Sequence, residues 1–125
     1  INAMCYIRGN AGDYDAWAAA GNPGWDFASL LPYFRRAQNQ ERGASEFHGT
    51  GGPFNVQDLR YHNPLSAVFL DAAAQAGFVR NPDFNAETPE GFGWYQVTQK
   101  NGERWSAARG YVPGIGHFTP REFPH

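Results

Sequence analysis

The chain has 125 residues, 42% of them hydrophobic and 16% aromatic, which is enough apolar material for one domain with one core and excludes compositional disorder. A net charge of −2 without any block of Lys or Arg excludes the concentrated positive footprint of a nucleic-acid or anionic-membrane surface. No apolar stretch approaches a membrane span, no signal-peptide pattern opens the chain, and the lone Cys5 cannot form an internal disulfide, so a cytoplasmic setting is expected.

The first element, Ile1 to Trp17, reads INAMCYIRGNAGDYDAW. The Asn2 amide both donates and accepts, and Ala3, Met4 and Cys5 beside it are small or adaptable enough to lie against a planar ligand. The plainer readings are an ordinary polar residue for Asn2 and an inert apolar one for Cys5. Arg8-Gly9-Asn10 forces a turn, and Asp13 then precedes a helical stretch with Tyr14 and Trp17. Arg8 is expected to pair with Asp13 or Asp15 rather than to face a ligand.

After the turn Gly21-Asn22-Pro23-Gly24, Asp26 is an N-cap for a stretch with Phe27, Leu30, Leu31 and Phe34 on one face. Arg35, Arg36, Gln38 and Gln40 are expected on the solvent side. Pro32 predicts a split into a turn over Asp26 to Leu31 and a helix starting at Pro32. Residues 41 to 62 have no long period; the run His48-Gly49-Thr50-Gly51-Gly52-Pro53 lacks a P-loop lysine and a following helix, so it is read as a loop leading into an extended piece, Pro53 to Gln57.

Asn63 as N-cap, Pro64 at the first helical position and Gly77 past the end define the clearest helix. Its expected apolar stripe is Leu65, Val68, Phe69, Ala72 and Ala76. A Pro/Asn/Asp loop follows from Asn81, then strand formers from Gly93 to Lys100, an Asn101-Gly102 hairpin signal, and Ser106 as a cap for a helix through Tyr111. The fold class expected is α+β with helices dominant: about four short helices, one extended segment near residue 54 and a strand near residue 96, with no evident partners for the strands.

INAMCYIRGNAGDYDAW resembles the first signature region of the glucose-methanol-choline (GMC) flavoprotein oxidoreductases, the alcohol and choline dehydrogenase branch in particular. Trp25-Asp26 with Leu30-Leu31-Pro32-Tyr33-Phe34, His48-Gly49 with Gly52-Pro53, Asp83-Phe84-Asn85, Gly91-Phe92-Gly93, Tyr95 through Gly102, and Arg104 through Ser106-Ala107-Ala108 look like the later landmarks of that family in order and spacing. The resemblance implies an FAD-dependent enzyme that oxidises the CH–OH group of a small-molecule alcohol. It implies that Asn2, Ala3, Met4 and Cys5 meet the flavin ring, with Asn2 nearest its polar edge. It divides the chain into a flavin-contacting segment (1–20), substrate-domain elements (21–111) and an atypical tail (112–125).

Two departures limit the expectation. No GxGxxG occurs, so the site for the ADP half of FAD is missing, and the family's catalytic histidine lies beyond the C-terminal reach of this chain. His48, His62, His117 and His125 are therefore not assigned to catalysis, and their spacing suggests no metal site. The chain is expected to be an inactive fragment that does not retain FAD. The alternative is a non-catalytic binding or interaction module that keeps the family scaffold.

Overall fold

The computed structural model describes residues 3–112. Among them are four helices and four short strands: α1 (Ala11–Ala19), α2 (Phe27–Ala37), β1 (Gln38–Gln40), β2 (Phe54–Val56), α3 (Pro64–Gln75), β3 (Gln99–Lys100), β4 (Glu103–Arg104) and α4 (Ala107–Tyr111). This is the helix-dominated α+β arrangement expected. No helix among the described residues is long and apolar enough to cross a membrane.

Helix α1 begins earlier than its sequence suggests. Asn10 is its N-cap, and Asp13, at the third helical position, accepts from the Asn10 N–H at 3.3 Å. Helix α2 starts at Asp26, whose carboxylate accepts from the Ser29 N–H at 2.9 Å and the Ser29 hydroxyl at 2.7 Å. The two helices pack through Tyr14, which sits 5.6 Å from Phe34 and 6.1 Å from Phe27 between ring centroids.

The expected break at Pro32 does not occur, because α2 runs through it. Proline at that position removes one hydrogen bond to Ala28, but Ala28 is exposed, so water can take the freed carbonyl while the cap and the aromatic packing hold the helix. Phe27, Leu30, Leu31 and Phe34 do share its half-buried face, and Arg35 and Arg36 are exposed. Gln38 and Gln40 are the correction: the helix ends at Ala37, both lie in β1, and they are 0% and 2% exposed.

The strands do find partners within the chain. β1 pairs in parallel with β2, Gln38 opposite Phe54 and Gln40 opposite Val56. Val97 then bridges Gln57 on one side and Cys5 on the other, both antiparallel, and β3 and β4 form the predicted hairpin with Asn101 and Gly102 at φ 53° and 81°. The stretch from Gly93 is thus regular only near its end. The glycines at 49 and 52 serve close packing: a Cβ on Gly49 would lie 1.8 Å from the Arg35 carbonyl oxygen, and one on Gly52 would lie 2.5 Å from Ala37.

Helix α3 is capped as expected, with Asn63 accepting from the Leu65 N–H at 2.9 Å and Gly77 at φ 90°. Its packing face is not the stripe expected. Leu70 and Ala73 are buried, whereas Leu65, Val68 and Phe69 are 78%, 62% and 60% exposed. The helix is apolar around most of its girth, so periodicity alone could not select the inward side.

The interior is mostly polar. Only Val56, Leu70, Ala73 and Val97 are buried apolar residues among those described, against nine buried polar ones. These are partnered across the chain: Gln40 and Gln96 exchange amide hydrogen bonds of 2.8 and 3.1 Å, and Asn55 joins Asn39, Glu41 and the Gln99 carbonyl.

Candidate cofactor-facing cleft

Residues 4–6 lie beside residues 96–98 through an isolated antiparallel bridge at Cys5. Tyr6 N–H donates to the Gln96 carbonyl at 2.8 Å, and Thr98 N–H donates to the Met4 carbonyl at 2.9 Å. In this pattern Cys5 and Val97 form the non-hydrogen-bonded pair, so the backbone N–H and C=O of Cys5 point away from Val97 towards the open edge. Val97 spends its own N–H and C=O on Gln57, at 2.8 and 3.0 Å.

Beside this edge lies an open cleft of about 360 Å³. Ala3 and Cys5 line it on one side, Phe69 and Leu70 of α3 on another, and Trp94 and Tyr95 complete it. Its lining holds no Asp, Glu, Lys, Arg or His, so the cleft is an uncharged, largely apolar space with aromatic walls. Met4 does not line it. Its backbone sits at φ 63°, and its sulfur lies 3.6 Å from the Gln99 amide nitrogen. Asn2 lies outside the described residues, as do His117, His125 and the tail from residue 113.

Arg8 differs from its expectation. It pairs with neither Asp13 nor Asp15, which are engaged at helix starts, Asp15 accepting from the Phe27 N–H at 3.0 Å. Its guanidinium instead donates to the Phe47 carbonyl at 2.7 Å and the Gln38 amide oxygen at 2.8 Å, and stands 5.2 Å from the Phe34 ring. The turn at Gly9 carries the chain into α1, which points the Arg8 side chain inward rather than along the helix.

A second group of residues fixes the segment from behind. Asn85, 5% exposed, accepts from the Arg8 N–H at 2.7 Å and donates to the Tyr6 carbonyl at 3.0 Å. Asp83 accepts from the Asn85 N–H at 3.0 Å and meets His48 Nε2 at 2.7 Å, and His48 Nδ1 meets the Gln38 oxygen at 3.0 Å. Burial acts to raise the Asp83 carboxyl, but hydrogen bonds from His48 and Asn85 and the charges of His48 and Arg42 outweigh it and hold it below the usual carboxylate range. Asp58 is lowered in the same way, burial being overcome by hydrogen bonds from Arg42 and Gln96. His48 and Asp83-Phe84-Asn85 were visible in the sequence only as landmarks, with nothing local to signal that residues 35 positions apart would meet. The His62 ring meets Trp94 at a tilt of 50°, with centroids 4.2 Å apart.

Comparison with known proteins bears on the whole of this arrangement. Residues 1–117 match the family model for GMC oxidoreductase. The chain is 47% identical over 112 residues to the mitochondrial choline dehydrogenase of Homo sapiens, covering 90% of this chain and 19% of that enzyme. It is 46% identical to the oxygen-dependent choline dehydrogenase of Brucella ovis, over 90% of this chain and 20% of the relative. The chain therefore spans about a fifth of the length of the curated relatives it matches. Among solved structures it superposes on pyridoxine 4-oxidase from Mesorbium loti with a TM-score of 0.84 and 30% identity, over 90% of this chain and 23% of that one. An FAD-dependent oxidoreductase from Chaetomium thermophilum gives a TM-score of 0.81 at 30% identity, over 92% and 22% of the two chains. The matched span, the shared fold and the ordered motifs agree: the chain belongs to the GMC oxidoreductase family.

Proposed function

We propose that this chain is part of an FAD-dependent oxidoreductase acting on the CH–OH group of a small-molecule alcohol, with choline the first substrate to test because of the named relatives. Residues 1–20 would supply the flavin-contacting segment and 21–111 elements of the substrate domain. The observation that carries the reading is the segment pinned by the bridge at Cys5, with small side chains facing an uncharged cleft.

The residues present fit a planar tricyclic ring. Such a ring needs a flat apolar surface and donors at its polar edge, and Ala3 and Cys5 give the first while the outward N–H of Cys5 gives one of the second. Asn2 would meet the polar edge, and Met4, held by Thr98, would fix the segment. When bound, the flavin supplies the acceptor for the hydride leaving the alcohol carbon. The aromatic walls would exclude water and orient the substrate carbon. No described lining residue is a base suited to the hydroxyl proton, so the chain by itself is expected to be inactive.

The test uses a protein of the relatives' full length that carries this segment. Flavin absorbance and choline-dependent dye reduction are expected. Ala3→Leu with Cys5→Leu is expected to lower flavin occupancy at least tenfold without changing the circular dichroism. A full-length protein that binds no flavin or oxidises no alcohol would overturn the reading. The 125-residue chain is expected to leave gel filtration colourless, and stoichiometric flavin absorbance there would refute the inactive-fragment part.

A further inference from the structure

We infer that His48 is a buried, doubly protonated imidazolium, and that its charge closes a hydrogen-bonded ring that fixes the position of residues 4–8.

The ring begins and ends at Arg8. Its backbone N–H donates to Asn85, whose own N–H donates to Asp83; Asp83 meets His48, His48 meets Gln38, and Gln38 accepts from the Arg8 guanidinium. Every link measures 2.7 to 3.0 Å. Arg8 decides the protonation of the rest. A guanidinium only donates, so the Gln38 atom facing it must be oxygen. That same oxygen faces His48 Nδ1, so Nδ1 must carry a proton. At the other end Nε2 faces a carboxylate oxygen and must carry one as well. A neutral imidazole would leave one lone pair against an oxygen inside a site where the His48 side chain is only 6% exposed.

The charges around the ring act in both directions. Asp83 is the counter-ion, and Arg42 stands beyond it. Arg8, reached through the shared Gln38 oxygen, and Arg35 of α2, which borders the same surface groove as His48, oppose the positive charge. The direct 2.7 Å contact to Asp83 outweighs cations that lie a residue further away, since the interaction falls with distance. A neutral imidazole would open the ring at Asp83 or Gln38, and residues 4–8 would lose part of their backing. This holds whether or not those residues meet a flavin.

The experiment is nitrogen-15 NMR of the 125-residue chain labelled at histidine, with His48→Gln assigning the signal. Expected at neutral pH are two ring nitrogens of protonated type for His48. Asp83→Asn is the discriminating variant, because its amide keeps the contact to Asn85 and donates to Nε2. His48 should then become the neutral tautomer protonated at Nδ1, a change that a merely structural loss would not produce. The Arg8 amide should also be less protected from hydrogen exchange in His48→Ala than in the parent chain. A neutral His48 in the parent chain overturns the inference, as does an Asp83→Asn variant that leaves both ring nitrogens protonated.

Discussion

Replacing Asn85 with alanine tests how the cleft edge is held. The side chain makes two bonds, accepting from Arg8 N–H at 2.7 Å and donating to the Tyr6 carbonyl at 3.0 Å. Alanine leaves one backbone donor and one backbone acceptor without partners. An unsatisfied buried group costs about 1–3 kcal/mol. Arg8 and Tyr6 are half-buried rather than sealed, which places each near the lower part of that range. The expected loss is therefore about 2 kcal/mol in all. Urea unfolding followed by tryptophan fluorescence gives the total, and hydrogen exchange at the Arg8 amide locates it. That amide should lose protection before amides of α3 do. A loss below about 0.5 kcal/mol, the range of ordinary surface substitutions, with Arg8 protection unchanged, would refute the reasoning.

The two faces of α3 should respond oppositely. Leu70→Ala, at a site 8% exposed, is expected to cost about 2–3 kcal/mol, whereas Leu65→Ala, at 78%, should stay within about 0.5 kcal/mol; urea midpoints compare them. Leu65→Lys combined with Val68→Glu is expected to reduce self-association in sedimentation without lowering the midpoint, because it breaks an exposed apolar patch. The acid limb of stability follows from Asp83 and Asp58, both held below their ordinary values in the fold. Their folded pKa is depressed, so the stabilisation is full above the unfolded value of about 4 and is lost as pH falls through the folded value. Urea midpoints taken down the acid range should fall, and Asp83→Asn should flatten that fall; an unchanged slope would count against the assignment.

Local punctuation was readable from the residues alone. Asp26, Asn63 with Pro64 and Gly77, Asn101-Gly102 and Ser106 each act on their own backbone within a few positions, and each does in the fold what its chemistry predicts. What failed depended on distant partners. Gln38 and Gln40 look like solvent-facing polar residues until Arg8, His48 and Gln96 supply their bonds from 10 to 56 positions away. Arg8 has two acidic residues close in sequence, yet its acceptors are 30 and 39 positions on. Pro32 argues for a break that its exposed surroundings make inexpensive to avoid. At the cleft, Ala3 and Cys5 do come to one surface, but the loop that backs them carried no local signal beyond the polar residues of a turn.

The balance of buried groups bears on why residues 4–8 occupy one position. Apolar contacts tolerate sliding, since any hydrocarbon surface of similar shape serves as well as another. Hydrogen bonds between buried amides, a carboxylate and an imidazole do not, because a displacement of an ångström leaves donors facing donors or nothing. Behind residues 4–8 the fold places contacts of the second kind beside the Tyr6–Phe54 ring pair, with Asn85 reading both the Tyr6 carbonyl and the Arg8 N–H. In front of the same residues it places an apolar cleft. A segment clamped by direction-specific bonds on one side can present small side chains to an apolar space on the other without closing into it. Cys5 is therefore positioned by residues that never touch the cleft, and substitutions at Asn85, Asp83 or His48 should alter the cleft as much as substitutions in its walls.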